Sequence, residues 1–457
     1  MATAQDVEKH VPIREGDYGE RVATVEPGGV EYIALKERHG NPIDLFWTWL
    51  SPNLEFATVF VGVLGVAVFG LSFWETALAI LIGSALGSAT HWVLSSWGPK
   101  FGVPMMVESR GAFALLALVN LGPTWFWLGF LVIVVAQVLV ATFGHNFIHL
   151  FERFALPLLG IVFIVATVFI FSHANVGAAA APGVNHFASF TLLLTATFGY
   201  AAGWNPYAAD YTRYLPPTVN RQAVGFWAAM GVFVSCVVIE LAGAALATVA
   251  GTKWGPTDIP TVQLAVAMPS WVYYLTLLCI AIGAVCANAI NIYSGTMSLV
   301  AVGIREMGLT LKQRRALLAV AAGVLGYVIG IVGQANVGPG SKYEYFLLLI
   351  SYWIGCWLAV VLVDYWMRKG DYGDESIFYN TSYFRWQGFA AMAIGLAVSV
   401  YLFGNVYGVW VGLIPTSNPG IGDITFFVGF ALTAVLYYVF QMVGRTSTAA
   451  TPAGSRA

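Results

Sequence analysis

From residue 45 to residue 442 the chain alternates long apolar runs with short polar connections. The runs lie at 45–69, 73–96, 112–143, 152–172, 188–209, 223–250, 270–302, 316–334, 343–367, 387–404 and 424–442. A bilayer crossing takes ~20 apolar residues, and a single segment in lipid can satisfy its own backbone only as a helix. The pattern therefore predicts eleven transmembrane helices. One run is out of proportion. Residues 112–143 would make a helix about 48 Å long at ~1.5 Å per residue, too long for one crossing and too short for two crossings with a turn between them.

Two of the runs are interrupted by helix breakers and amides. The first contains Ser51-Pro52-Asn53, with Glu55 just beyond. The fifth ends in "GYAAGWNPYAADYTRYLP" (199–216), where Gly199, Gly203 and Asn205-Pro206 fall at a depth that lipid-facing helices keep apolar. A break frees backbone N–H and C=O groups, which lipid cannot satisfy, so it belongs where it lines a cavity. Pro and Gly also kink packed helices without any site, but the matched pair with flanking amides favours the cavity.

Composition agrees with the pattern. Of 457 residues, 58% are hydrophobic and 10% charged, against ~25% charged in soluble domains, and the mean hydropathy is +0.75. A net charge of −2 gives no sign of nucleic-acid binding. Cys236, Cys279, Cys286 and Cys356 all lie inside apolar runs, without metal spacing, and read as small buried hydrophobes. The expected organisation is a polar cytoplasmic segment over 1–40 without a cleavable leader, one transmembrane domain over 41–442, and a disordered cytoplasmic tail over 443–457.

Basic residues fix an orientation. Connections near 98–110, 213–221, 305–315 and 368–385 hold eleven Lys and Arg, among them Lys100, Arg110, Arg213, Arg221, Arg315 and Arg368. The remaining connections hold two, Lys253 and Lys342. The first set, with the N-terminus, is expected in the cytoplasm, which makes this a multi-pass protein of the plasma (inner) membrane. Arg110 and Arg213 then need an even number of crossings between them, while hydropathy supplies three. The mismatch falls on 112–143.

The segments "NPIDLFWTWLSPNLEF" (41–56), "GLSFWETALAILIGSALGS" (70–88), "GPKFGVPMMVESRGAF" (98–113), "FGHNFIHLFERFALPLLGIVF" (143–163), "CANAINIYSGTMSL" (286–299) and "LLISYWIGCWLAVVLVDYW" (348–366), together with 199–216, resemble the nucleobase–cation symporter family in its purine–cytosine permease branch. The resemblance covers most of the chain. It implies an all-α integral membrane protein of the inverted-repeat, LeuT-like transporter fold. Two five-span repeats of opposite topology are followed by two spans, so the family has twelve spans where this chain shows eleven. About one span is missing between "ESRGAF" and "FGHNFIH", so the third span of the family is expected to be absent, and either the later segments are forced against their charges or one segment fails to cross.

Substrate in this fold binds near the bilayer midplane, at the paired breaks. Ser51, Asn53 and Asn205 are the candidates at the breaks. Asn288 and Asn291 share a helix face at i and i+3 and offer amide edges to a heterocycle, although amides also serve as interhelical links. The resemblance implies an Asn on this span in contact with substrate, best matched by Asn288, and aromatics that sandwich a flat ring. Tyr200, Trp204 and Trp125 are the candidates, with Tyr207 beside them. The match weakens here, because a family aromatic position falls at Ala201 and Trp125 also suits an interfacial Trp. A sodium site of the fold would use carbonyls near Ser51 and Leu54 and hydroxyls on the eighth span, where this chain has Gly283, Cys286 and Ala287. Glu55 and Glu240 are intramembrane carboxylates and candidate proton carriers, so H+ is expected as the coupling ion in preference to Na+, with no other cofactor. Asp210, Arg213 and Asp364 are expected to pair or cap at span ends.

The function expected is a symporter importing cytosine, a purine or a related heterocycle. An amino-acid or other small-solute carrier of the same fold is the alternative within transport. A non-transporting receptor or degenerate carrier is the alternative of another class. A membrane enzyme is set aside because no catalytic constellation is present: His145 and His149, at i and i+4, lie at a span end without the glutamate of a metalloprotease helix.

Overall fold

The computed structural model of the chain describes residues 19, 25–26, 32–108, 126–255, 258, 260–302, 309–333, 342–372, 385–406 and 409–449. The first apolar run forms two helices. α1 (Asp44–Leu50) passes through a 3-10 turn at Ser51–Asn53 into α2 (Phe56–Ala67), and the halves meet at 61°. Pro52 has no N–H to continue the ladder. Leu54 (ψ 63°) and the extended Glu55 (φ −152°) carry the chain across the gap.

α3 (Phe73–Ser95) opens on a capping box between Ser72 and Glu75. Two short helices follow, α4 (Gly98–Phe101) and α5 (Met105–Glu108). α6 (Phe126–Phe143) turns sharply at Gly144 into α7 (His145–His173). Gly144 has φ +96°, which side chains other than glycine rarely adopt.

The second broken element is α8 (His186–Ala202), a 3-10 turn at Asn205–Tyr207, and α9 (Ala208–Thr212). Beyond it come α10 (Arg221–Ala247), α11 (Pro260–Ala267), α12 (Ser270–Val302), α13 (Leu311–Gly333) and α14 (Lys342–Met367). The last elements are α15 (Trp386–Phe403), a two-stranded hairpin of Asn405–Val406 with Trp410–Val411, α16 (Leu413–Ser417) and α17 (Thr425–Ala449). Among the described residues seven helices are long and apolar enough to cross a membrane, or eight with the bent pair α1–α2 taken as one span. α6, α8 and α13 stand in the bundle beside them.

Two groups of helices enclose the breaks. α2, α3, α8 and α10 form one; α6, α7, α12 and α13 form the other. Small residues let backbones meet in the first group, as is usual where lipid gives helices no hydrophobic reason to associate. A methyl on Gly62 would stand 1.7 Å from the Glu240 carbonyl oxygen, and one on Gly243 2.0 Å from that of Val59.

The described ends sort by charge. At the basic end Met105 N–H donates to Asp210 (2.8 Å), His39 N–H to the Tyr214 carbonyl (2.6 Å) and Arg315 to the Ala141 carbonyl (3.0 Å). At the opposite end Ala181 N–H donates to Gly70 (2.8 Å), and Ala174 bridges to Val249. α7 thus runs away from the basic end. α6 runs toward it, with Ala141 beside Arg315 and Val138 packed on Gly323 further along.

Three sequence expectations change. Among the described residues α5 lies at the basic end and α6 runs toward that end, so α7 and the later helices keep the orientation that their charges predict. The expected inversion of later segments against their charges does not occur. The first part of the anomalous run, residues 112–125, lies outside the described residues. The fourth predicted span begins at His145 and not at 152, which puts Glu152 two turns inside the helix. α17 continues to Ala449, past the domain limit expected at 442.

Candidate functional site

The two breaks face each other and are joined by side chains. Trp204 Nε1–H donates to Asn53 Oδ1 (2.9 Å), and the Asn53 amide donates to the Trp49 carbonyl (2.8 Å). Tyr200 Oη donates to Glu55 Oε1 (3.0 Å) and also contacts Thr58 Oγ1 (2.6 Å), which holds the Asn53 carbonyl at 2.6 Å. Glu55 Oε2 accepts from Ala57 N–H (2.8 Å) and so caps α2. Of the residues picked from sequence, Asn53, Glu55, Tyr200 and Trp204 are brought into one network.

The others have different neighbours. Asn205 is fully buried and turns to α3, donating to Thr90 Oγ1 (2.7 Å) and bonding His91 Nδ1 (3.2 Å). Ser51 Oγ donates to the Trp47 carbonyl (3.2 Å), and its own carbonyl accepts Leu54 N–H (3.1 Å). The Leu54 carbonyl points at α12: a methyl on Gly283 would stand 2.1 Å from it. Cys286 and Ala287 on α12 are buried. Asn288 is half-buried, with its amide donating to the Ala284 carbonyl (3.0 Å); Asn291, half-buried one turn on, has no hydrogen-bond partner among the described residues. Glu240 is fully buried on α10, and among the described residues its one hydrogen-bond partner is Ser84 Oγ (3.4 Å). Trp125 lies outside the described residues.

Trp204 also packs edge-on against Trp49 (ring centroids 5.8 Å), which in turn meets His91 (4.4 Å) and Tyr211 (5.5 Å). The aromatic surface of the break is thus held rigid, while Glu55, Tyr200, Tyr207, Asn288 and Asn291 stay half-exposed. A carboxylate, phenols and amides around stacked rings suit the polar edge and flat face of a heterocycle.

At the basic end Glu26 closes a buried ionic cluster. It accepts from His145 N–H (2.8 Å), Tyr293 Oη (3.2 Å) and Tyr214 Oη, with Arg315 at 3.5 Å and Arg213 at 3.7 Å. Asp364 pairs with Arg368 (2.8 Å). Together with Met105 on Asp210, these contacts agree with pairing and capping roles for Asp210, Arg213 and Asp364.

A cavity of about 860 Å³ runs between α1, α7 and α9, lined by His39, Asp44, Thr48, His145, His149, Glu152 and Tyr211 among others. Its lining includes exposed Gly40 and Asn41 and, along α7, runs from His145 past Glu152, 1% exposed, to Leu156 and Pro157. Sequence reading missed Glu152 because Arg153 beside it made the pair look like a span boundary. Its spacing from His145 and His149, seven and three residues on one helix face, was the available signal.

The sequence profile of permeases for cytosine/purines, uracil, thiamine and allantoin matches residues 32–122 and 116–429, its two parts meeting inside the anomalous run. A Bacillus subtilis (strain 168) protein described as a candidate purine-cytosine permease, YxlA, is 28% identical over 91% of this chain and 96% of its own length. The purine-cytosine permease fcyB of Emericella nidulans is 24% identical over 90% of this chain and 87% of its own. Among solved structures, the nucleobase-cation-symport-1 family transporter Mhp1, closed with bromovinylhydantoin bound, superposes with a TM-score of 0.65 at 15% identity, covering 95% of this chain and 96% of that one. Its inward-facing form gives 0.60 over 90% and 92%.

Proposed function

The chain belongs to the family of permeases for cytosine/purines, uracil, thiamine and allantoin, and on that premise we propose that it imports a nucleobase such as cytosine, or a related heterocycle, by symport with protons. It is a transporter and not an enzyme, and the fold is that of the nucleobase–cation symporters. The observation that carries the substrate reading is the joined pair of breaks. Asn53 and Trp204 fix the two unwound turns against each other, and Tyr200, Glu55 and Asn288 stay half-exposed beside them. A planar base offers an aromatic face and alternating donors and acceptors to such a set.

Proton coupling is favoured over sodium because hard oxygen ligands are scarce where the fold would place the ion. The Ser51 carbonyl is taken by Leu54 N–H, and α12 opposes the Leu54 carbonyl with Gly283, Cys286 and Ala287, none of which carries a hydroxyl. Intramembrane carboxylates are available instead. The basic end, with the N-terminal segment, is assigned to the cytoplasm, and the membrane to the plasma membrane.

Labelled cytosine uptake into cells without a cytosine transporter of their own, with adenine, uracil and allantoin as competitors, tests the reading. The expected result is saturable uptake that a protonophore abolishes and sodium removal leaves unchanged. Uptake of none of these compounds would refute the substrate class, and sodium-dependent uptake that ignores the protonophore would refute the coupling.

A further inference from the structure

Glu152 is 1% exposed, and neither carboxylate oxygen has a hydrogen-bond partner among the described residues. An unpaired carboxylate anion in such a place is costly, which favours the neutral acid there. Glu55 differs, since both of its oxygens already accept hydrogen bonds. Glu240 lies away from the cavity, against Ser84. Only Glu152 of the three lines the cavity that includes Gly40 and Asn41 at the basic end.

Three histidines line the same cavity. His39 and His145 rings are 6.2 Å apart, and His145 and His149 rings 4.3 Å. Thr48 Oγ1 donates to the Asp44 carbonyl (2.9 Å), so it accepts from His149 Nδ1–H at 2.9 Å. That fixes the tautomer and leaves Nε2 as the nitrogen able to take up a proton. His149 and Glu152 are three residues apart on α7, a spacing that sets Cβ atoms ~5–6 Å apart. Asp44 from α1 and Arg153 from α7 line the cavity with them, while Tyr211 of α9 and Cys286 of α12 lie within electrostatic reach of Glu152. α7 also packs against the 3-10 turn Ser51–Asn53, so a change at Glu152 is next to the first break.

We propose that Glu152 carries the coupling proton and exchanges it with the cytoplasm through the cavity lined by His149, His145 and His39. The carboxyl O–H bond breaks and the proton passes to Nε2 of His149, leaving a carboxylate and an imidazolium. His149 then returns to neutrality by passing the proton along the other histidines to water at the basic end. The assignment rests on the proton-symport reading above.

Purified protein in proteoliposomes, with labelled cytosine, separates the two. Wild type under one unit of inward pH gradient should accumulate cytosine about tenfold if one proton moves per substrate. A wild type indifferent to the gradient removes the coupling reading and this assignment with it. Glu152→Gln, which mimics the protonated acid, should lose accumulation and reach only equilibrium while keeping cytosine–cytosine counterflow. Glu152→Gln that still accumulates as wild type does would overturn the assignment and leave the coupling reading intact. Loss of counterflow in both Glu152→Gln and Glu152→Asp would show a structural role and overturn it too. His149→Gln should keep the accumulation ratio but shift the pH profile of the initial rate; an unmoved profile would remove the histidine path.

Discussion

Asn53 and Trp204 lie 151 residues apart in sequence and share one hydrogen bond across the two breaks. Trp204→Phe keeps the ring and leaves a buried amide oxygen without its donor, at a cost of about 1–3 kcal/mol. Thermal stability and cytosine uptake should both fall, and a double-mutant cycle with Asn53→Ala should return a coupling of about 0.5–3 kcal/mol. Additive effects would show that the bond does not join the breaks. A second residue-scale case is Asp423, in the connection before α17. Burial pushes its carboxyl up to about 6, against hydrogen bonds from Tyr352 and Thr425 that pull it down. The folded state therefore binds this proton more tightly than the unfolded one. Its contribution is fully present below the ordinary value of 3.8 and is lost as pH rises to about 6, with no further change above. Melting temperatures of purified protein between these limits should show that decline, and Asp423→Asn should flatten it. Sequence alone pointed to Asn53 and Glu55 because polar groups beside helix breakers are conspicuous in an apolar run, while Tyr200 and Trp204 came from the family resemblance. It did not show that Asn205 would turn to Thr90 and His91, since both faces of a broken helix look alike in sequence.

Between elements, close backbone approach sets the geometry. α12 meets the first break at Gly283, where Gly283→Ala would bring a methyl to 2.1 Å from the Leu54 carbonyl oxygen. The expected result is protein that reaches the membrane but transports at least tenfold more slowly, because a displacement of the order of 1 Å at a site can cost ~100-fold. Gly295→Ala on the same helix meets nothing within 4 Å and should transport normally; equal loss in both would point to the helix and not the contact. Glu26 joins the α6–α7 turn, the end of α9, α12 and α13. Removing it leaves Arg213 and Arg315 buried without this carboxylate, and breaking a buried pair costs about 3–5 kcal/mol. Glu26→Ala should therefore melt markedly lower than wild type; an unchanged melting curve would show the cluster to be dispensable. The α1–α2 and α8–α9 interruptions were legible from Pro and Gly. The start of α7 was not, because His, Asn and Glu at 145–152 read as a polar connection until tertiary partners bury them.

Across the whole molecule, the described ends place Gln313 with the basic connections and Ala179 at the opposite end, both exposed. All four native cysteines are buried, so single cysteines introduced at these positions report topology cleanly. Gln313→Cys should be labelled from the cytoplasm and Ala179→Cys only from outside; labelling of both from one side would restore the inversion that the hydropathy count required against the charges. The sequence by itself determined the solvent of this protein, the approximate helices, the basic end and the two places where helices break. Those properties follow from local composition: apolar length, charge position, and residues that cannot continue a backbone ladder. Only the tertiary structure decided that α6 runs toward the basic end, that Trp204 reaches Asn53, and that Glu152 lies buried beside a cavity. Each of these depends on which distant segment a side chain meets, and hydropathy carries no information about partners. A carboxylate beside an arginine at the edge of an apolar run has the same sequence whether it faces water or a sealed pocket, and only the packing of α7 against α1, α9 and α12 separates the two.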